Sequence, residues 1–256
     1  MKLSQKFQFV DLTARMALRA DASQLWLGYL WWILEPLLFV AVFYLVFGVL
    51  LQAPKADFLS FLIVGKLPFQ WFSGGVNSSA NSITGAQHLI AQTPVSKSLL
   101  VLSRVQQVSY KQAAVFLLLV VYVVADGAYP SSAWLFLPLV IMAQYALVAS
   151  CALLGAVLVC YAQDFAKLIQ FATIALMFGS GIFWDIRTLS EDMQWWVYTF
   201  NPLAFILDAY RQILLYGQGV DVARTVGILI SFGVLAGLTT KWISHNEAAL
   251  TKRVLS

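Results

Sequence analysis

Residues able to do chemistry are few and scattered in this chain. His88 and His245 are its only histidines, and neither stands near a second histidine or a cysteine. Hydrolytic zinc chemistry and a His-dependent nucleophilic triad therefore have little to build on. Cys151 and Cys160 fall in one apolar stretch, where thiols read as small buried hydrophobes rather than as a disulfide or a metal pair. No Gly-x-x-x-x-Gly-Lys-Ser/Thr loop occurs, so the chain has no cradle for ATP phosphates and ATP-driven work would need another polypeptide. The 12 acids are dispersed, unlike the clustered Asp, His or Glu of a membrane-embedded transferase. No internal repeat accompanies them, as an ion-coupled carrier would require. The expectation is a chain that is not itself an enzyme and holds no metal or cofactor of its own.

What remains are ionisable groups set in apolar sequence, and aromatics. Glu35 lies in the first apolar stretch, where a carboxylate is expensive and suggests function; alternatively it sits near the inner interface beside Pro36 and caps or pairs locally. Lys66 is about 12 Å into the second stretch by helical rise, able to snorkel outward or to line a path. Asp208 and Arg211 are three apart and can meet on one helix face, as a latch or as a surface pair worth under about 1 kcal/mol. Trp31, Trp32, Tyr44, Trp71 and Tyr122 either anchor at the membrane interfaces or line a path.

These residues must be positioned by membrane helices. Of 256 residues, 61% are hydrophobic and only 11% charged, against about 25% charged in a soluble domain. That excludes an ordinary soluble enzyme. The net charge of +4 comes without a basic run, so nucleic acid is not an expected partner. Six apolar stretches, at about 29–51, 58–76, 105–125, 133–161, 166–184 and 222–243, can each supply the ~20 helical residues that a bilayer core requires. An even number places both termini on one side, and assigning that side to the cytoplasm puts most of the 16 Lys and Arg inside, as the positive-inside rule asks. Lys6, Asp11, Arg15, Arg19 and Asp21 do not make a signal peptide, so the N-terminus is expected to be retained.

The segments between and before the spans are informative. Within 1–26, Phe7, Val10, Ala14, Ala17 and Leu18 oppose Lys6, Asp11, Arg15 and Arg19, which predicts an amphipathic helix on the inner membrane surface. The link at about 82–97 carries His88, Leu89, Ile90 and Pro94 and reads as a short cytoplasmic helix offering a docking knob, or as an ordinary surface turn. In 185–221, Asn201 followed by Pro202 starts a helix too short to cross alone, with Leu203, Ile206, Tyr210 and Ile213 as its apolar stripe. A second short helix upstream ends in Trp195, Trp196 and Tyr198. Two short helices leaving and returning on one side predict a periplasmic re-entrant hairpin. Gly233 and Gly237 form a Gly-x-x-x-Gly in the last span, read as a close helix contact. The predicted class is an all-α polytopic membrane protein of six transmembrane helices in one permease domain over 1–256, with the last span at 222–243 and a cytoplasmic tail at 244–256.

Taken in order, Leu27-Gly28-Tyr29-Leu30-Trp31 with Leu34-Glu35-Pro36, Phe61 to Phe69 with Gly65 and Pro68, Leu89-Ile90 with Pro94-Val95 and Arg104, and Asn201-Pro202-Leu203 with Tyr210-Arg211 resemble the type-2 ABC transporter permeases that export polysaccharides. The tail from Asn246 to Leu250 is similar to capsule-export permeases in particular, and Lys66 departs from the family, which usually has an apolar residue there. The resemblance implies a homodimer in a bacterial inner membrane, both termini cytoplasmic, with two separate ATPase subunits that bind ATP and Mg. Its substrate would be a lipid-linked polysaccharide such as capsule or O antigen, moved outward from the cytoplasmic side; a teichoic acid, lipid or drug is the alternative cargo. Periplasmic accessory export proteins are a further expected partner.

In that frame, His88, Leu89, Ile90 and Pro94 would dock the ATPase. Arg15, Arg19, Trp26 and Tyr29 would receive the lipid head, the two arginines attracting its phosphate. Trp31, Trp32, Glu35, Tyr44, Lys66, Trp71 and Tyr122 would line the channel, aromatic faces meeting pyranose rings without demanding one sugar. Trp195, Trp196, Asn201, Pro202, Asp208, Tyr210 and Arg211 would form the periplasmic gate.

Overall fold

A computed structural model describes residues 3–24, 26–50, 58–93 and 95–255, and these are helical with no strand among them. The centre is a helix that the apolar pattern alone makes unremarkable, α3 below, buried along nearly its whole length. Around it the chain runs α1 (Leu3–Gln24), a 3-10 turn Gly28–Leu30, α2 (Trp31–Phe43), a π-helical continuation Tyr44–Leu50, α3 (Phe58–Ala80), α4 (Gln87–Gln92) and α5 (Lys97–Ala125). Then follow α6 (Leu137–Tyr161), α7 (Asp164–Gly179), α8 (Glu191–Phe200), α9 (Pro202–Leu214), α10 (Val222–His245) and α11 (Glu247–Leu255).

Helices α5 and α6 pack most closely on α3, and α10 packs on α6. Small residues permit the approach: a Cβ on Gly75 would lie 2.5 Å from Val148 Cγ1 of α6, closer than packed carbons tolerate. Pro68 inside α3 removes one N–H from its ladder. The adjoining carbonyls of Leu67 and Pro68 accept hydrogen bonds from Gln112 Nε2 at 3.0 Å and Gln144 Nε2 at 2.7 Å. Buried glutamines from α5 and α6 thus fasten the proline segment, polar glue in an apolar bundle.

The bundle has two distinct ends. At the upper end the start of α3 meets the end of α5, Ser60 Oγ lying 2.9 Å from Tyr122 Oη and donating to Asp126 Oδ2 at 2.5 Å. Helices α8 and α9 sit there. At the lower end lie α4, α11 and the 162–163 turn, with α1 across the flank of α5. Ala14 and Ala22 of α1 are buried while Leu12 and Met16 are exposed. The expected polar face is revised: Asp11 accepts from Tyr110 Oη, and Asp21 accepts from Gln107 Nε2 at 2.8 Å and pairs with Lys111 Nζ at 2.6 Å. Those acids reach toward α5, which presents its own polar residues at the helix crossing, while staying partly exposed. The Tyr110 hydrogen bond holds the Asp11 carboxyl below its ordinary range.

Among the described residues, four helical stretches are long and apolar enough to cross a bilayer: Gly28–Val46, Lys97–Ala125, Ser132–Tyr161 and Val222–His245. The molecule is an all-α polytopic membrane protein. Of the other two expected spans, α3 carries Lys66, Gln70 and Asn77, and α7 has 16 residues, about 24 Å at helical rise. Several expected boundaries move. The third stretch begins at Lys97 rather than 105, and the fifth ends at Gly179 rather than 184, because Gly181 takes φ +70° and turns the chain. The link expected at about 82–97 is helical only over Gln87–Gln92, after a 3-10 turn Thr84–Ala86, since Thr93 is extended. A Cβ on Gly233 or Gly237 would meet nothing within 4 Å. Among the described residues the close contact expected of that pair is absent, because α10 turns its glycines into an open cleft.

Candidate functional site: a polar cavity in the bundle

Between α2, α3 and α5 lies a cavity of about 550 Å³ with Trp31, Trp32 and Glu35 from α2 on its wall. Facing them are Gln70, Ser73 and Asn77 of α3 and Lys111 and Gln112 of α5, with Asp21 of α1 at its lower rim. Helical spacing explains the convergence: Gln70, Ser73 and Asn77 recur at three and four along α3, one face of one helix. Trp32 Nε1 and Gln70 Oε1 are buried without a hydrogen-bond partner. Such an unmet donor and acceptor on a cavity wall mark a place for a polar occupant. Lys111 Nζ sits 5.3 Å from the Trp32 ring centroid while paired with Asp21.

The expected channel residues do not form one wall. Trp71 lines a separate cavity of about 400 Å³ with Tyr110 and Tyr145, its Nε1 donating to Ser109 Oγ at 3.1 Å. Tyr122 is at the upper end with Ser60, and Tyr44 is exposed. Lys66 neither snorkels nor faces the cavity. It is buried, with Nζ 3.7 Å from the Phe39 ring centroid and 3.5 Å from Met177 Sδ, a cation satisfied by π-density and a thioether. Among the described residues Glu35 and Lys66 form no salt bridge, although the Glu35 charge acts on the Lys66 ammonium.

At the upper end, α9 is an almost wholly buried helix. Asn201 caps it, its Oδ1 accepting from the Ala204 N–H at 3.1 Å while its Nδ2 donates to Ser180 Oγ at 2.9 Å; Pro202 is at the first turn, as expected. The expected Asp208–Arg211 pair is not formed. Asp208 pairs with Arg187 Nε at 3.3 Å and accepts from Tyr198 Oη at 3.0 Å and Gln212 Nε2 at 2.6 Å. Burial and the adjoining Asp208 push the Tyr198 phenol up, so it stays a donor. Arg211 points into the bundle, donating to the Phe61 and Ile182 carbonyls at 3.2 Å each, 3.6 Å from the Phe61 ring centroid. The helix turns the two side chains to different neighbours, one to the 186–188 turn and one to α3. Tyr210 is fully buried against Phe116, inside the bundle rather than at a gate surface. Trp195 and Trp196 are exposed on α8, and Trp196 stacks on Phe200 at 5.3 Å.

At the lower end His88 and Leu89 are exposed on α4 while Ile90 is buried, anchoring the short helix. Pro94 lies outside the described residues. Arg15 pairs with Asp11 at 3.0 Å, Arg19 is exposed, and Trp26 and Tyr29 are exposed beside the start of α2. Among the described residues no three His, Cys, Asp or Glu side chains come together as a metal site. Sequence reasoning missed Gln70, Asn77, Gln112 and Arg187. The recurrence of three amide or hydroxyl residues on one face of the second apolar stretch was the available signal.

Comparison with known proteins adds to this geometry. Residues 107–215, from the middle of α5 to just past α9, match the ABC-2 type transporter family. The O-antigen export system permease protein RfbA of Klebsiella pneumoniae is 24% identical over 234 residues, 90% of each chain. The polysialic acid transport protein KpsM of Escherichia coli is 28% identical over 237 residues, 88% of each chain. A permease of the same O-antigen description from Myxococcus xanthus is 23% identical over 197 residues, 77% of this chain and 76% of that one.

Proposed function

We propose that this chain is the permease subunit of an ATP-driven exporter of lipid-linked polysaccharide, a reading supported by the match of residues 107–215 to the ABC-2 type transporter family. The observation that carries the reading is the cavity at α2, α3 and α5, polar and faced with indoles inside a bundle that crosses lipid. Polar walls in hydrocarbon are retained for a polar cargo, and the flat apolar face and hydroxyl edge of a sugar suit an indole beside carboxamides. The relatives that export O antigen and polysialic acid align over most of both chains, which supports a glycan over a drug or a simple lipid.

Energy comes from a separate ATPase that binds ATP and Mg. Leu89 and His88 project from α4 while Ile90 holds it to the bundle, the arrangement a helix-in-groove contact requires. Two copies of the permease face each other in one inner membrane, with both termini cytoplasmic. The exposed stripe Leu168, Phe171, Ile174 and Phe178 on α7 supports a second copy as its cover. Arg19, Trp26 and Tyr29 receive the lipid head at the lower membrane surface, and α8 with α9 forms the outer gate. Arg15 serves less directly, since Asp11 already pairs with it.

The test is reconstitution. Vesicles holding this chain with its ATPase should move a lipid-linked glycan across the bilayer when ATP and Mg are supplied and not with a non-hydrolysable analogue. Glycan left on the side where it was loaded, while the ATPase turns over, would refute the reading.

A further inference from the structure

We infer that the cavity between α2, α3 and α5 binds uncharged sugar residues of the transported glycan and rejects carboxylate-bearing ones. This rests on the polysaccharide reading above and narrows its substrate class.

The wall carries complementary groups in the proportions a neutral sugar needs. Trp32 Nε1 is a buried donor and Gln70 Oε1 a buried acceptor, both without partners, and a sugar hydroxyl serves either. Asn77 and Gln112 each have an amide donor already committed, to Thr173 Oγ1 at 3.0 Å and to the Leu67 carbonyl at 3.0 Å. They are therefore held in fixed rotamers, a preorganised wall rather than a mobile one. The volume of about 550 Å³ is in the range of small-molecule pockets.

Charge decides the class. Among the described residues the lining holds two carboxylates, Asp21 and Glu35, and one ammonium, Lys111. That ammonium is taken: Asp21 Oδ2 lies 2.6 Å away and the Trp32 ring lies beside it. Lys66, a cation on the helix that forms one wall, is turned toward Phe39 and Met177. A sugar carboxylate entering here would meet a lining of two carboxylates and one committed ammonium, the Glu35 charge being offset in part by Lys66 from outside the cavity. Glu35 is exposed, so the repulsion is of the modest size that water leaves to close charges, and rejection of a competitor by an unmatched charge is how polar sites discriminate.

The experiment uses the full chain in lipid nanodiscs and titrates two probes of equal length, a neutral mannotriose and an α2,8-linked sialic acid trimer, followed by tryptophan fluorescence and saturation-transfer NMR. Mannotriose should bind and the sialyl trimer should bind on the order of tenfold more weakly, a difference of about 1.4 kcal/mol. Gln70→Ala and Trp32→Phe should each weaken mannotriose, with size-exclusion profiles confirming an intact fold. Glu35→Gln should narrow the gap between the probes, and Glu35→Lys should reverse it. Equal or tighter binding of the sialyl trimer by the unmodified chain overturns the charge argument. Binding of neither probe, while the reconstituted complex still moves glycan, overturns the site and leaves the exporter reading standing; absence of glycan movement as well overturns both.

Discussion

Arg211 Nη2 occupies the space that a side chain on Gly65 would fill, a Cβ there falling 2.2 Å from the nitrogen. The guanidinium is 1% exposed and is held by two backbone carbonyls and the Phe61 ring rather than by a carboxylate. This contact pins α9 to α3. Gly65→Ala should displace Arg211 and destabilise the fold by about 1–3 kcal/mol. Arg211→Ala removes a bond to each of two carbonyls in a buried setting, of which the Phe61 carbonyl keeps its helical partner, at about 1–3 kcal/mol. Because both changes act on one contact, a thermal-melt cycle of Gly65→Ala, Arg211→Ala and the double variant should be non-additive by at least about 0.5 kcal/mol. Additive losses would show that the two residues are independent.

The Arg187–Asp208 pair should matter more than its half-buried arginine suggests. Asp208 collects Arg187, Tyr198 and Gln212 at a site where its own side chain is 4% exposed. Asp208→Ala would orphan three donors, a loss of about 3 kcal/mol by the buried-pair scale. Arg187→Lys should lose less than Asp208→Ala, since an ammonium can still reach the carboxylate although it gives up the contact to both oxygens. Comparing the melting temperatures of the two variants checks the order.

Leu89 is 44% exposed on α4, so replacing it should leave the fold within about 0.5 kcal/mol. Leu89→Asp should nevertheless reduce co-purification of the ATPase by at least tenfold, about 1.4 kcal/mol, as expected when a central apolar anchor is removed. Unchanged capture would remove α4 from the docking surface.

Gly233 and Gly237 give a prediction of opposite sign. With open space around both, Gly233→Ala and Gly237→Ala should stabilise α10 by about 0.5–1 kcal/mol each through helix propensity. A drop in melting temperature would mean that another chain or a lipid packs closely there.

Much of this architecture is legible in residue pattern. The Asn201-Pro202 start of α9 follows from capping chemistry alone, and the four long apolar helices follow from composition. What pattern could not reach is side-chain partnering across helices. Spacing brings Asp208 and Arg211 onto neighbouring positions of one helix, yet it says nothing of the carbonyls of Phe61 and Ile182 that hold one or of Arg187 that holds the other. Lys66 was readable as an ionisable group in lipid, but its aromatic cover comes from Phe39 on another helix. The cavity was half legible: Trp31, Trp32 and Glu35 stand out as residues, whereas Gln70, Asn77 and Gln112 acquire meaning only when α3 and α5 bring them to the same wall.

Export of a lipid-linked glycan is tested by deleting the gene and locating the polymer. Surface glycan should disappear while lipid-capped polymer accumulates inside the cell, and the unmodified gene should restore export where one encoding Leu89→Asp does not. Normal surface glycan with no accumulation inside would contradict it.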